Sequence, residues 1–276
     1  MNGNIARVTM GARRGGRPPR GEPVLDRAFR ILDAFSDERP SLTLTELTET
    51  TGIPLSSALR LAQQLVRQGA LERQADGGFT MGLRMLEYAA LAPRGHGLRS
   101  VALPYMEELH RATGQHVQLG VREDDEGVIV ERLSSRDAGE VLYYTGGRIP
   151  LHGTSIGHVL LAHSRAEFQK RYLQRDLFLE PEHTPLASSE LAATLEHVRR
   201  AGTASMSRTI PVAATSIAAP IFDRSGRCIA ALAVLAADGS IDIRVFAPVI
   251  AAMARVISRD LARNRSTTAR LSASDQ

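Results

Sequence analysis

The chain has 276 residues, room for two domains of ordinary size, and at 43% hydrophobic residues it can build a core in each. Its net charge of +4 and pI near 9.7 give a basic excess too mild to indicate nucleic acid if it were evenly spread. One cysteine excludes an intrachain disulfide, the N-terminus lacks the apolar stretch of a secretory signal, and the longest apolar run, 228–237, is too short to span a bilayer, so a soluble cytoplasmic protein is expected.

The charge is not evenly spread. Arg7, Arg13, Arg14, Arg17 and Arg20 all precede the first acidic residue, Glu22. Residues 1–22 are rich in Gly, Arg and Pro, lack apolar periodicity, and read as a disordered basic arm. The run Gly16-Arg17-Pro18 resembles minor-groove hooks, in which a thin extended backbone carries Arg into a narrow groove. Arg17 and Arg20 are therefore expected DNA contacts, with plain phosphate attraction as the competing role. Lys170 is the only lysine, so a bias toward Arg explains most of the other arginines.

Helical spacing starts at Val24 and continues through Leu25, Ala28, Ile31, Leu32 and Phe35, with Pro40 as the stop. Thr43 and Glu46 have the spacing of a capping box, and Leu44, Leu47 and Thr51 supply the buried side of the helix it opens. Gly52 supplies a turn, and Pro54 suits the start of a next helix, expected over Leu55–Gln68. That helix has two faces. Ala58, Leu61, Ala62 and Leu65 form an apolar stripe; Ser57, Arg60, Gln64 and Arg67 form a polar one, with Ser56 beside it. Leu71–Arg73 and Gly78–Met81 flank Asp76-Gly77-Gly78, a hairpin signal. Helix, turn, helix and hairpin make a winged helix-turn-helix over 23–82. Its second helix would carry Ser56, Ser57, Arg60, Gln64 and Arg67 to DNA, and its wing Arg73. Arg can grip guanine and Gln adenine, because base edges offer the acceptors their forked donors need.

A helix-like stretch from Leu83 to Leu98 reads as a linker over 83–99. Beyond it, an α+β domain over 100–265 is expected, with a mainly antiparallel sheet. Its elements are a helix Leu103–Thr113, strands Val117–Arg122 and Gly127–Leu133 around an acidic turn, and a strand Val141–Thr145. A helix Ser155–His163 follows, then a polar helical region to about Arg175 and a helix Glu190–Ala201. Strands Thr215–Asp223 and Cys228–Ala236 precede a final helix Ile243–Arg263, and residues 266–276 form a loose tail.

Gly52-Ile53-Pro54-x-Ser56-Ser57-x-x-Arg60-Leu61 and the glycine-rich wing resemble the DNA-binding domain of IclR-type transcriptional regulators. Pro150–Ala162, Leu195–Gly202 and Ser216–Val234 resemble that family's effector domain in order and spacing. The resemblance implies a GAF-like effector-binding domain, a linker helix, a homodimer formed through the N-terminal domains, and often a dimer of dimers. It places effector contacts at Val141, Tyr143, Ile149, Ser155, Ile156, Met206, Ser216, Ala233 and Leu235. Several of these depart from the family. Met206 stands at a usual carboxylate, Ser216 at the usual cysteine, Ala233 and Leu235 at serines of small-acid-binding members, and Ser155 and Ile156 at glycine and alanine. Losing several polar contacts in one cavity favours a larger, more apolar effector, aromatic or otherwise hydrophobic, with or without an acid group. A pocket filled by its own side chains is the competing reading.

Other chemistry finds little support. His152 is a lone histidine beside a turn and reads as structural. No histidine pair has metal-ligand spacing, one cysteine cannot build a thiolate site, and neither G-x-S-x-G nor a phosphate loop occurs. Glu123–Glu126 reads as a solvated turn and Cys228 as a small hydrophobe in an apolar strand. The expected protein is a ligand-responsive DNA-binding regulator without metal or cofactor, acting on a double-stranded operator. A constitutive DNA-binding protein whose second domain only oligomerises, or a small-molecule enzyme, are the alternatives.

Overall fold

The computed structural model describes residues 22–36, 39–92, 97–135, 143–179, 184–208, 214–237 and 239–263. The chain divides into two compact units, with the division at residues 92 and 93.

The first unit packs three helices, α1 (Val24–Leu32), α2 (Leu44–Thr51) and α3 (Leu55–Arg67), around Ile31, Leu47, Ile53, Ala58 and Leu61. A three-stranded antiparallel sheet of β1 (Ser41–Leu42), β3 (Phe79–Met81) and β2 (Leu71–Arg73), in that order, closes the core with Leu42, Leu71 and Phe79. Helix α1 ends at Leu32, well before Pro40, because Asp33 already takes the C-cap and Ser36 bridges back to Arg39. Helix α4 (Leu83–Leu91) is shorter than the expected Leu83–Leu98. Ala92 is extended, with ψ 114°, as a residue before proline must be when the Pro93 ring excludes helical backbone.

The second unit is built on a six-stranded antiparallel sheet. Its strands are β4 (His116–Glu123), β5 (Glu126–Leu133), β6 (Arg148–Pro150), β9 (Ala204–Arg208), β10 (Ala214–Phe222) and β11 (Cys228–Ala237), in the order β6-β5-β4-β11-β10-β9. One face packs on α5 (Leu98–Thr113) and α9 (Ile243–Arg263) through Val117, Leu119, Ile217, Leu232 and Val234. The other packs on α6 (Ser155–Ala162) and α8 (Ser188–Ala201), with α7 (Ala166–Leu173) beside them, through Ile129, Ala218, Ala231 and Ala233. Small alanines at these positions let α6 approach the sheet closely. A two-stranded ribbon, β7 (Phe178–Leu179) with β8 (Thr184–Pro185), completes the described elements.

Helix α5 starts at Leu98 instead of Leu103; buried Leu98 and Ala102 anchor the extra turn and Pro104 is carried inside it. Tyr143–Thr145, the described part of the expected strand Val141–Thr145, is not a strand. The edge of β5 is taken there by a glycine turn. Gly146 donates to the Ile129 carbonyl at 2.7 Å, and Ile129 donates to the Gly147 carbonyl at 3.0 Å. Among the described residues no helix is long and apolar enough to cross a membrane. The basic arm, with Arg17 and Arg20, and the 266–276 tail lie outside the described residues, as does Val141.

Candidate nucleic-acid interface and effector face

The helix pair is held by local chemistry. The Thr43 hydroxyl accepts from the Glu46 backbone N–H at 3.3 Å, and the Glu46 carboxylate accepts from the Thr43 N–H at 2.8 Å. The backbone and hydroxyl donors of Thr43 hold that carboxyl below its usual range. Gly52, at φ +68°, takes the left-handed turn that ends α2, and Pro54 opens α3. Ala58, Leu61 and Ala62 are buried; Ser56, Arg60, Gln64 and Arg67 are exposed, with Ser57 half-buried. The side chains of Arg60, Gln64 and Arg67 make no hydrogen bond or ion pair with any described residue. A free polar stripe of forked donors on the second helix is what major-groove reading requires.

The wing turns through Asp76, whose carboxylate accepts from the Gly78 N–H at 2.9 Å, and Gly77 at φ +88°. Arg73 leaves β2 exposed, its guanidinium carbon 5.8 Å from the centre of the Phe79 ring. That contact positions the cation without neutralising it.

In the second unit, cross-strand register defines the face beneath α6. Met206 pairs Ser216, Ser216 pairs Leu235, and Leu235 pairs His116. One step along, Ala218 pairs Ala233, Ala233 pairs Gln118, and Gln118 pairs Arg132. Directly paired residues point to one side of a sheet, so these two rows share a face. Tyr143, Ile149 and Ile156 pack with the same core layer, and Ser155 is buried at the start of α6. Thr154 caps α6: its hydroxyl accepts from Gly157 at 3.0 Å and its carbonyl from His158 at 2.9 Å. The N–H groups of Ser155 and Ile156 take no partner among the described residues. Met206, Ser216, Ala233, Leu235, Ile149, Ser155, Ile156 and Tyr143 thus belong to one layer of the fold.

Sequence reading missed three polar residues of that face. His116 and Gln118 are buried on β4, and half-buried Arg132 donates to the Tyr143 carbonyl at 2.9 Å. The alternation His116-x-Gln118-x-Gly120 was the available signal, but in a half-exposed strand it would mark the solvent side.

The remaining polar groups are structural. The two ring nitrogens of His152 meet the Tyr172 hydroxyl at 2.8 Å and the Phe178 carbonyl at 2.9 Å. Burial pushes that tyrosine up to about 12. His158 meets the His152 carbonyl at 2.9 Å through Nε2, and burial, outweighing this bond, holds its pKa below the usual histidine value. Cys228 is half-buried as a residue, yet its sulfur is enclosed enough for desolvation to push the thiol up to about 12, an inert form. The acidic turn is neutralised by arginines: Arg148 reaches Glu123 and Glu126 at 2.8 and 3.1 Å, while Arg171 and Arg175 reach Asp125 at 3.1 and 3.0 Å. A separate groove of about 670 Å³ holds Arg122, Arg171 and Arg227 around Phe168, and each already has an oxygen partner, on Asp124, Asp125 and Asp223. Among the described residues no three His, Cys, Asp or Glu side chains gather as a metal site.

A winged helix-turn-helix followed along the chain by an antiparallel sheet with helices on both faces defines a DNA-binding regulator class. The bacterial transcriptional regulator IclR C-terminal family model matches residues 91–272, and the IclR helix-turn-helix domain matches residues 24–75. The chain belongs to the IclR family of transcriptional regulators. It is 27% identical to the HTH-type transcriptional regulator XynR of Escherichia coli (strain K12), over 79% of this chain and 87% of that one. It is 32% identical to the HTH-type transcriptional regulator KipR of Bacillus subtilis (strain 168), over 54% of this chain and 59% of that one. A crystal structure of an IclR homolog from Microbacterium hydrocarbonoxydans, complexed with 4-hydroxybenzoate, superposes with a TM-score of 0.79 at 32% identity, covering 87% of this chain and 99% of that chain. These relatives are regulators, not enzymes.

Proposed function

We propose that the chain is a ligand-responsive regulator whose α3 reads an operator through Ser56, Ser57, Arg60 and Gln64, with Arg67 and Arg73 on flanking phosphates. The carrying observation is the exposed stripe of Arg60, Gln64 and Arg67, which no described residue engages. The arm residues Arg17 and Arg20 add charge to the same duplex.

The active species is a homodimer, with a dimer of dimers as its extension. Exposed Val24, Leu25 and Phe29 on α1, and Leu83, Leu86, Tyr88 and Leu91 on α4, support pairing through the first unit, since large apolar side chains seldom cluster on a free surface. Two copies would match a palindromic site.

The effector is a compact aromatic acid seated between α6 and the sheet, among Val141, Tyr143, Ile149, Ser155, Ile156, Met206, Ser216, Ala233 and Leu235. Apolar Ile156, Ala233 and Leu235 suit a ring, and the two open N–H groups at the start of α6 suit a carboxylate. The relative held with 4-hydroxybenzoate supports the same class. Electrophoretic mobility shifts on the DNA upstream of the chain's own gene, with and without aromatic acids, test this. A complex that survives competitor DNA and changes with acid is expected; binding without sequence preference would overturn the reading.

A further inference from the structure

The geometry points to a second polar anchor on the effector face, formed by Gln118 of β4 and Arg132 of β5, which selects an aromatic acid bearing another oxygen acceptor on the far side of its ring. This rests on the effector reading above and extends it to residues outside that set.

Three observations carry it. Gln118 is 5% exposed, and its Nε2 has no hydrogen-bond partner among the described residues. A buried amide donor left unsatisfied costs stability, so it is retained only where something else engages it. Arg132, its direct cross-strand neighbour, is a half-buried guanidinium that among the described residues meets only the Tyr143 carbonyl, with no described carboxylate paired to it. Both groups offer donors and neither offers an accessible anion, so the complementary ligand atom is an oxygen acceptor, favoured further if it is anionic.

Position sets the ligand's shape. Gly120 lies directly under Ile156: a Cβ built there would fall 2.7 Å from the Ile156 Cγ2. Gln118 is two residues along β4 from that point, about 7 Å at the rise of an extended strand. A flat ring with a substituent at each end has about that length, so such a ligand would reach along the strand from the Ile156 side chain to Gln118. Ala233 pairs directly with Gln118, and Ala218 with Ala233, so small side chains continue the row on that side of the donor pair. A carboxylate at α6 and a phenolic or second carboxylate oxygen at Gln118 and Arg132 would satisfy both ends at once.

Titration calorimetry of the full chain with benzoate, 4-hydroxybenzoate and terephthalate tests this, in the native protein and in Gln118→Leu. The native protein should bind 4-hydroxybenzoate or terephthalate at least about tenfold tighter than benzoate, as one hydrogen bond to a charged partner requires. Gln118→Leu should cut that advantage at least about threefold and leave benzoate within about twofold. Which of the two compounds leads tells whether a hydroxyl or a carboxylate is preferred. Without ligand, Gln118→Leu should raise the melting temperature, because it removes an unsatisfied buried donor at nearly constant volume. A lowered melting temperature, or an unchanged preference in the variant, would overturn the anchor while leaving the effector reading intact. Silence of the native protein toward all three acids would overturn both.

Discussion

Gly157 of α6 lies against Leu151 so closely that a Cβ on it would stand 2.4 Å from the Leu151 carbonyl oxygen and 2.5 Å from its Cα. Both are backbone atoms, so neither can rotate away. The start of α6, with the open N–H groups of Ser155 and Ile156, is thus seated on the loop before it by the absence of one methyl group. Gly157→Ala should lower stability by roughly 1–3 kcal/mol, the scale of overpacking in a rigid core. Urea unfolding checks it; an unchanged midpoint would show that α6 shifts freely.

A similar fit sets the wing. A Cβ on Gly82 would stand 2.1 Å from the Gly69 carbonyl, and the Gly82 N–H already donates to Ala70 at 2.9 Å. Gly82→Ala should displace β3 from its place beside β2 and weaken operator binding, while binding of aromatic acids to the second unit persists. Mobility shifts and calorimetry on one preparation separate the two effects.

The polar stripe of α3 divides by role. Arg60→Ala and Gln64→Ala should each cost about 1–3 kcal/mol on the preferred operator and little on random DNA. Arg67→Ala and Arg73→Ala should weaken both kinds of DNA alike, and each should lower the salt slope by about one. Equal losses on specific and random DNA for Arg60→Ala would remove that residue from base reading.

The capping box gives a stability test inside the first unit. Thr43→Ala removes both the hydroxyl that caps α2 and one donor to Glu46, and should cost about 1 kcal/mol. Thr43→Ser, which keeps the hydroxyl, should restore most of it.

His158 makes the second unit acid-sensitive. Burial holds its folded pKa below the unfolded value of 6.5, so the contribution is complete above about 6.5 and is lost as pH falls through the folded value. His163, lowered by burial as well, acts in the same direction. Unfolding free energy should fall as pH drops below about 6.5, by up to ~1.4 kcal/mol per pH unit for each histidine. His158→Gln keeps a donor toward the His152 carbonyl and cannot titrate in this range; denaturation curves of the variant should be flatter with pH. An equally steep profile would exclude His158 as a source.

Where an element is defined by its own neighbours, the sequence was readable. Thr43 with Glu46, Gly52 before Pro54, and the two stripes of α3 depend on contacts within four residues, and they appear as expected. Strand β1 is two residues long and depends on a partner far along the chain, Thr80 for Ser41, so it carries no periodic signal of its own. The Leu83–Leu98 helix was overextended because apolar spacing outweighed the constraint Pro93 places on Ala92. Gln118 and Arg132 were missed for a different reason. Strand β4 is buried on both sides from His116 to Val121, so alternation of polar and apolar residues distinguishes two interiors there, not interior from water.

Strand β4 also has a mechanical property. Gln118 faces the α6 layer while its neighbours Val117 and Leu119 are embedded in the opposite layer with Leu98, Ala102 and Met106 of α5. One backbone serves two tightly filled compartments, so the space available on one side is set partly by the other. A guest that moves Gln118 by a fraction of an ångström must resettle Val117 and Leu119, and α5 with them. The sheet behaves as a shared wall whose small displacements are felt in both rooms.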